Sequence, residues 1–150
     1  MSLKQQIDSD IKNAMLAKRK EELEALRGIK SMILLAETDK GGSGELTNDV
    51  EMKILMKASK QRKESADIFL QQSRKDLADK ELFQMEVINR YLPKQLSETE
   101  LTQEIQKLIS QVGAKGPQDL GKVMGLATKT FAGKADGKVV SEIAKKLLST

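Results

Sequence analysis

The chain of 150 residues contains no His and no Cys. The side chains that most often act as general base, thiolate nucleophile or soft-metal ligand are therefore missing. Carboxylates, hydroxyls and ammonium groups remain. Asp76, Asp79, Glu81 and Glu86 stand close enough in sequence to be considered as a Mg²⁺ site. They alternate with Arg74, Lys75 and Lys80, however, in the pattern of a solvated amphipathic helix face. A Ser–Lys pair is chemically open as nucleophile and base, but no local arrangement singles one out. No metal, cofactor or catalytic residue is expected, and the chain reads as non-catalytic by itself.

GPQDLGKV, from Gly116 to Val123, matches the first part of a phosphate-binding G-x-x-x-x-G-K loop. Such a loop needs Ser or Thr after the Lys, to reach Mg²⁺, and a strand in front of it. Here Val123 follows Lys122, and LISQVGA reads as a helix end. Pro117 also removes one of the backbone donors on which the loop depends. Nucleotide binding at this position is excluded on these grounds.

The surrounding stretch, DLGKVMGLATKTFAGKADGKVV, poses a different question. A Gly inside a helix costs about 1 kcal/mol relative to Ala, yet GKVMG sets two of them among good helix formers. At about 100° per residue, Leu120, Val123, Met124, Ala127 and Phe131 fall on one side. Gly121, Lys122, Gly125 and Lys129 fall on the other, with Lys115, Lys134 and Lys138 in the adjoining turns. A bare helix face flanked by ammonium groups lets a phosphodiester backbone approach while its charge is neutralised. The same glycines would also let another helix pack closely. Both readings stand. The candidate RNA-binding set is Lys115, Gly121, Lys122, Gly125, Lys129, Lys134 and Lys138.

The elements that must position these residues are all helical. Before Pro93 four helices are legible. The first carries Leu3, Ile7, Ile11, Ala14 and Met15 at helical spacing, and the second Leu23, Leu26, Ile29, Ile33 and Ala36. DKGGSGELT then reads as a flexible loop. Thr47 is the expected N-cap of a long third helix running through Phe69. A break near Ser73 and Arg74 leads to a fourth helix bearing Leu77, Leu82, Met85, Ile88 and Leu92. On the third helix Arg62 projects toward the edge of the apolar face, which predicts an internal ion pair rather than an RNA contact. Lys53, Lys57 and Lys60 lie on the opposite, solvated face.

Pro93 ends that series by pushing Leu92 out of helical geometry. Ser97 and Glu100 have the spacing of a capping box for a fifth helix that ends near Gly113. Pro117 suits the first turn of a sixth, closed by Gly133, and Asp136 caps the last. The expected architecture is all-α, with a bundle of about four helices over residues 1–93 and a small three-helix domain over 94–150.

Composition agrees with this class. Hydrophobic residues make up 39%, charged residues 32% and aromatics 3%, so base stacking is not a principal binding device. No apolar run approaches the roughly 18 residues of a membrane span, and no membrane partner is expected. The N-terminus, MSLKQQIDSDIKNAM, has acids and no apolar core, which is unlike a secretory signal or a transit peptide. The absence of Cys suits a reducing compartment, and the cytoplasm is the expected location. Net charge is +4. Through Leu92, 17 basic residues oppose 16 acidic ones, whereas from Pro93 onward the counts are 9 and 6. The positive excess thus lies in the C-terminal part, and a polyanionic partner is compatible with it.

The ordered blocks KQRKESADIFLQQSRKDLADKE, YLPKQLSETEL, DLGKVMG and GKADGKVV resemble the GatB/YqeY family, and specifically its stand-alone YqeY-like members. The resemblance spans essentially the whole chain. It implies an all-helical protein with a larger N-terminal helical domain and a small C-terminal one similar to the tail of the GatB subunit of tRNA-dependent amidotransferase. In that subunit the tail helps to engage tRNA. The resemblance therefore implies a tRNA-binding or tRNA-metabolism accessory role, with contact at Gly121, Lys122, Gly125 and the GKADG segment. At the level of the family it also implies an association with glutamine-dependent carbon–nitrogen ligase chemistry, the chain serving as a component or adaptor of the amidotransferase. A third expectation is a protein-interaction module that uses the GxxxG face.

Overall fold

Helices account for all the regular structure among the described residues, 2–39 and 46–149, of the computed structural model. They are α1 (Leu3–Leu16), α2 (Lys20–Asp39), α3 (Asn48–Gln71), α4 (Lys75–Asn89), α5 (Glu98–Val112), α6 (Leu120–Thr130) and α7 (Gly137–Leu148), with a 3-10 turn at Pro117–Asp119. Most of the expected DKGGSGELT loop, residues 40–45, lies outside the described residues. The chain divides into two compact units, Met1–Leu92 and Pro93–Thr150.

In the first unit the local start signals act as their chemistry dictates. Ser2 and Gln5 form a reciprocal capping box at the head of α1. The Thr47 hydroxyl accepts the Val50 N–H at 3.3 Å and so starts α3. Two helix ends are closed by left-handed residues other than Gly, Lys18 (φ 57°) and Ser73 (φ 59°). In both, the next N–H reaches back across the turn, Arg19 to the Ala14 carbonyl at 2.9 Å and Arg74 to that of Phe69 at 2.8 Å. These reversals make helical hairpins of α1–α2 and α3–α4.

The core of this unit joins Ile7 and Ala14 of α1, Leu26, Ile29 and Ile33 of α2, Leu55 and Ala58 of α3, and Val87 and Ile88 of α4. Polar ties bind its edges. Arg62 meets Glu81 at 3.0 Å, which is the internal ion pair expected from its position. Ser59 donates to Asn89 at 2.7 Å, Arg90 pairs with Glu22 at 2.7 Å, and the Tyr91 hydroxyl donates to Asp10. Met15 departs from its expected place in the apolar stripe and is 53% exposed. The core closes over Ala14 in the same last turn of α1 and leaves Met15 on the outside. Likewise α4 ends at Asn89 rather than Leu92, because Arg90, Tyr91 and Leu92 tighten into i→i−3 bonds ahead of Pro93.

The second unit has its own core, built at helical spacing from Leu101, Ile105 and Leu108 of α5, Val123 and Ala127 of α6 with Phe131 just beyond it, and Val140, Ala144 and Leu148 of α7. Fully burying an aliphatic side chain contributes about 1.5–3 kcal/mol, so three short helices can hold together around this cluster. Ser97 Oγ accepts the Glu100 N–H at 3.2 Å. The return bond of the expected capping box differs, because Glu100 takes the Ser97 hydroxyl proton instead of its backbone N–H. Gly113 closes α5 in the left-handed region at φ 69°, where a side chain would be strained.

Candidate functional site

Pro117 does not open α6 directly. It begins the 3-10 turn, and α6 proper starts at Leu120. The turn is held by the Asp119 carboxylate, which accepts the Lys115 N–H at 2.9 Å. Because Asp119 faces back toward Lys115, it fixes the loop that carries this lysine. At the other end α6 stops at Thr130, three residues before Gly133, and Phe131 turns inward to the core. Gly133 is left-handed at φ 76°. The intervening turn is braced from the segment before α5, where Leu96 donates to the Lys134 carbonyl at 3.0 Å and Gln95 Nε2 to that of Gly133 at 2.6 Å. Lys134 therefore projects from an anchored turn. Lys138 occupies the first turn of α7, and its N–H is capped by Asp136 Oδ1 at 3.0 Å.

The structure buries Val123 and Ala127 and leaves Gly121, Lys122, Gly125 and Lys129 exposed along the outer side of α6. A methyl group placed at Gly121 or Gly125 would meet nothing within 4 Å. Within the second unit the glycines consequently pack against no described neighbour. Lys115, Lys122, Lys129, Lys134 and Lys138 are all exposed, and none forms an ion pair among the described residues. Lys122 and Lys129 share one helix and stand about 10 Å apart along its axis. Lys115 and Lys134 sit on the segments that enter and leave α6, and Lys138 on the first turn of α7. The carboxylates here, Asp119 and Asp136, are engaged by backbone N–H groups. Sequence reasoning missed Gln95 and Leu96 as braces of the Lys134 turn, although the YLPKQL block contains both.

Two of the four carboxylates Asp76, Asp79, Glu81 and Glu86 are held in ion pairs. Glu81 is held by Arg62. Asp76 is bound by Arg74 at 3.3 Å, and that hydrogen bond holds its carboxyl below the usual range. No cluster of three or more potential metal ligands occurs among the described residues. None of their helices is long and apolar enough to cross a membrane.

The profile of the Yqey-like protein family matches residues 4–148. The chain belongs to this family. Its curated relatives include proteins called "Altered inheritance of mitochondria protein 41, mitochondrial". That of Clavispora lusitaniae is 35% identical over 107 residues, covering 70% of this YqeY-like chain and 61% of the relative. The Pyrenophora tritici-repentis protein is 28% identical over 140 residues, with 91% and 75% covered. The Lachancea thermotolerans protein is 30% identical over 113 residues, with 74% and 60% covered. The YqeY-like chain thus spans about three-fifths of the length of two of these relatives.

Proposed function

We propose that this protein is a non-catalytic tRNA-binding accessory factor of tRNA metabolism, which contacts RNA phosphates through the outer side of α6. The observation that carries this reading is the open surface at Gly121 and Gly125, flanked by lysines that form no ion pair among the described residues. Phosphate groups reach close to a helix without side chains, and Lys122 and Lys129 meet them from its edge. Lys115, Lys134 and Lys138 extend the cationic track. Contacts of this kind read shape rather than base sequence. The cytoplasm is the location in this proposal, whereas the relatives' names carry the word mitochondrial.

The test is equilibrium binding of labelled tRNA across a salt series, with duplex DNA as competitor and the double variant Lys122→Ala, Lys129→Ala in parallel. The reading predicts a preference for tRNA and a salt slope about one unit lower per phosphate contact removed. Equal binding to any polyanion, or none near physiological salt, overturns it. A role as adaptor in glutamine-dependent tRNA amidation rests on the same face, and predicts faster amidation when the protein is added to an amidotransferase. If Gly121→Leu abolishes capture of a protein partner while Lys122→Ala has no effect, the face docks a helix instead.

A further inference from the structure

No aromatic side chain of this protein is exposed. Phe131 is buried in the core of the second unit, and Phe69, Phe83 and Tyr91 of the first are half-buried. Trp and His are absent from the sequence. The positive charge of the second unit is also of one kind, because from Pro93 onward every basic residue is Lys and none is Arg. Its surface therefore offers neither an aromatic ring nor a guanidinium plane, the groups on which unpaired bases stack. It offers instead the exposed lysines around α6 and a strip at Gly121 and Gly125 that carries no side chain. Lys meets a phosphate as a compact point charge.

This inventory separates two kinds of RNA. Single strands are held by stacking as well as by charge, and only the charge is present here. In a duplex the bases already stack on one another, so the protein need supply no platform. The minor groove of A-form RNA is wide and shallow, and presents phosphates and 2′-hydroxyls to a protein. A helix bare at two successive turns can lie against such a groove. Lys122 and Lys129, about 10 Å apart along the axis of α6, then reach phosphates at its border. We infer that the outer side of α6 takes double-helical RNA, so that the stems of tRNA are bound rather than its anticodon loop or unpaired 3′ end. This rests on the tRNA reading above and narrows it to one class of RNA.

Competition against labelled tRNA tests the inference, using the full chain. The competitors are unlabelled tRNA, a blunt RNA duplex of about 16 base pairs, and one strand of that duplex in a sequence that does not fold alone. The duplex should displace tRNA within about threefold of the concentration at which unlabelled tRNA does, and the single strand should be about tenfold weaker than the duplex. Direct binding of labelled duplex and of labelled tRNA should fall by the same factor in Lys122→Ala with Lys129→Ala, which places both on α6. The two lysines are exposed, so circular dichroism should show this variant folded. A single strand that competes as well as the duplex overturns the inference and leaves the tRNA reading standing. So does tRNA that is bound but not displaced by the duplex, and so does duplex binding that survives the double variant while tRNA binding is lost. Absence of binding to every RNA overturns both.

Discussion

Tyr91 donates its phenolic proton to the carboxylate of Asp10, joining the turn after α4 to α1 across 81 positions of sequence. Burial, and then this carboxylate, push the Tyr91 hydroxyl above the ordinary tyrosine range. The folded protein favours the neutral phenol, so the contribution to stability is complete below the unfolded value of about 10 and is lost as pH rises through the folded one. The chain has one Tyr and no Trp, so phenolate absorbance reports this group alone. Titration of the native protein should show phenolate appearing well above pH ~10, with the midpoint returning to about 10 in denaturant. Asp10→Asn should move the native midpoint downward. A native midpoint at the ordinary value would contradict the contact.

The left-handed turn at Ser73 places a strain on the α3–α4 hairpin. A non-Gly residue in that region costs roughly 1–2 kcal/mol, part of which Gly gives back through its greater freedom when unfolded. Ser73→Gly should therefore stabilise the protein by about 1 kcal/mol, read as a higher urea midpoint with an unchanged slope. A lower midpoint would show that the Ser side chain matters more than the backbone.

Gly125 lies inside α6 with open space where a methyl would go. Replacing it with Ala should raise stability by up to about 1 kcal/mol through helix propensity. On the RNA reading the same change weakens tRNA binding, since the bare surface is lost. A variant that gains stability and keeps its full affinity for tRNA would remove the glycine from the interface. Opposite movement of stability and binding would tie it to function.

Arg62 and Glu81 cross-link α3 to α4 with side chains 38% and 19% exposed. A pair this open to solvent is worth little, and a double-mutant cycle with Arg62→Met and Glu81→Gln should give a coupling of about 0.5–1 kcal/mol. The coupling should shrink in high salt. Loss of tRNA affinity in Arg62→Met at unchanged stability would instead assign this cation to RNA.

Features set by neighbouring residues were legible in the chain itself. Thr47, Ser97 and Asp136 cap their helices because a short polar side chain can reach an N–H two or three residues ahead, wherever the helix later packs. The spacing of Leu101, Ile105 and Leu108, and of Val123 and Ala127, marks the buried sides of α5 and α6 for a similarly local reason, the helical period. Local pattern also placed Arg62 at the edge of its apolar stripe, where an ion pair follows. It missed the 3-10 turn at Pro117, whose geometry is held by Asp119 reaching back to Lys115.

The sequence by itself determined the helices, most of their caps and which side of each is apolar, because those depend on residues within a few positions of one another. Tertiary structure decided what covers what. Met15 belongs to the stripe of α1 by spacing, yet the core closes over Ala14 and leaves Met15 exposed. Asp10 finds Tyr91, and Gln95 finds Gly133, only when helices distant in sequence come together. Gly121 and Gly125 have the same spacing whether a helix lies on them or not. Their openness follows from α5 and α7 meeting the opposite side of α6, where the apolar side chains leave water.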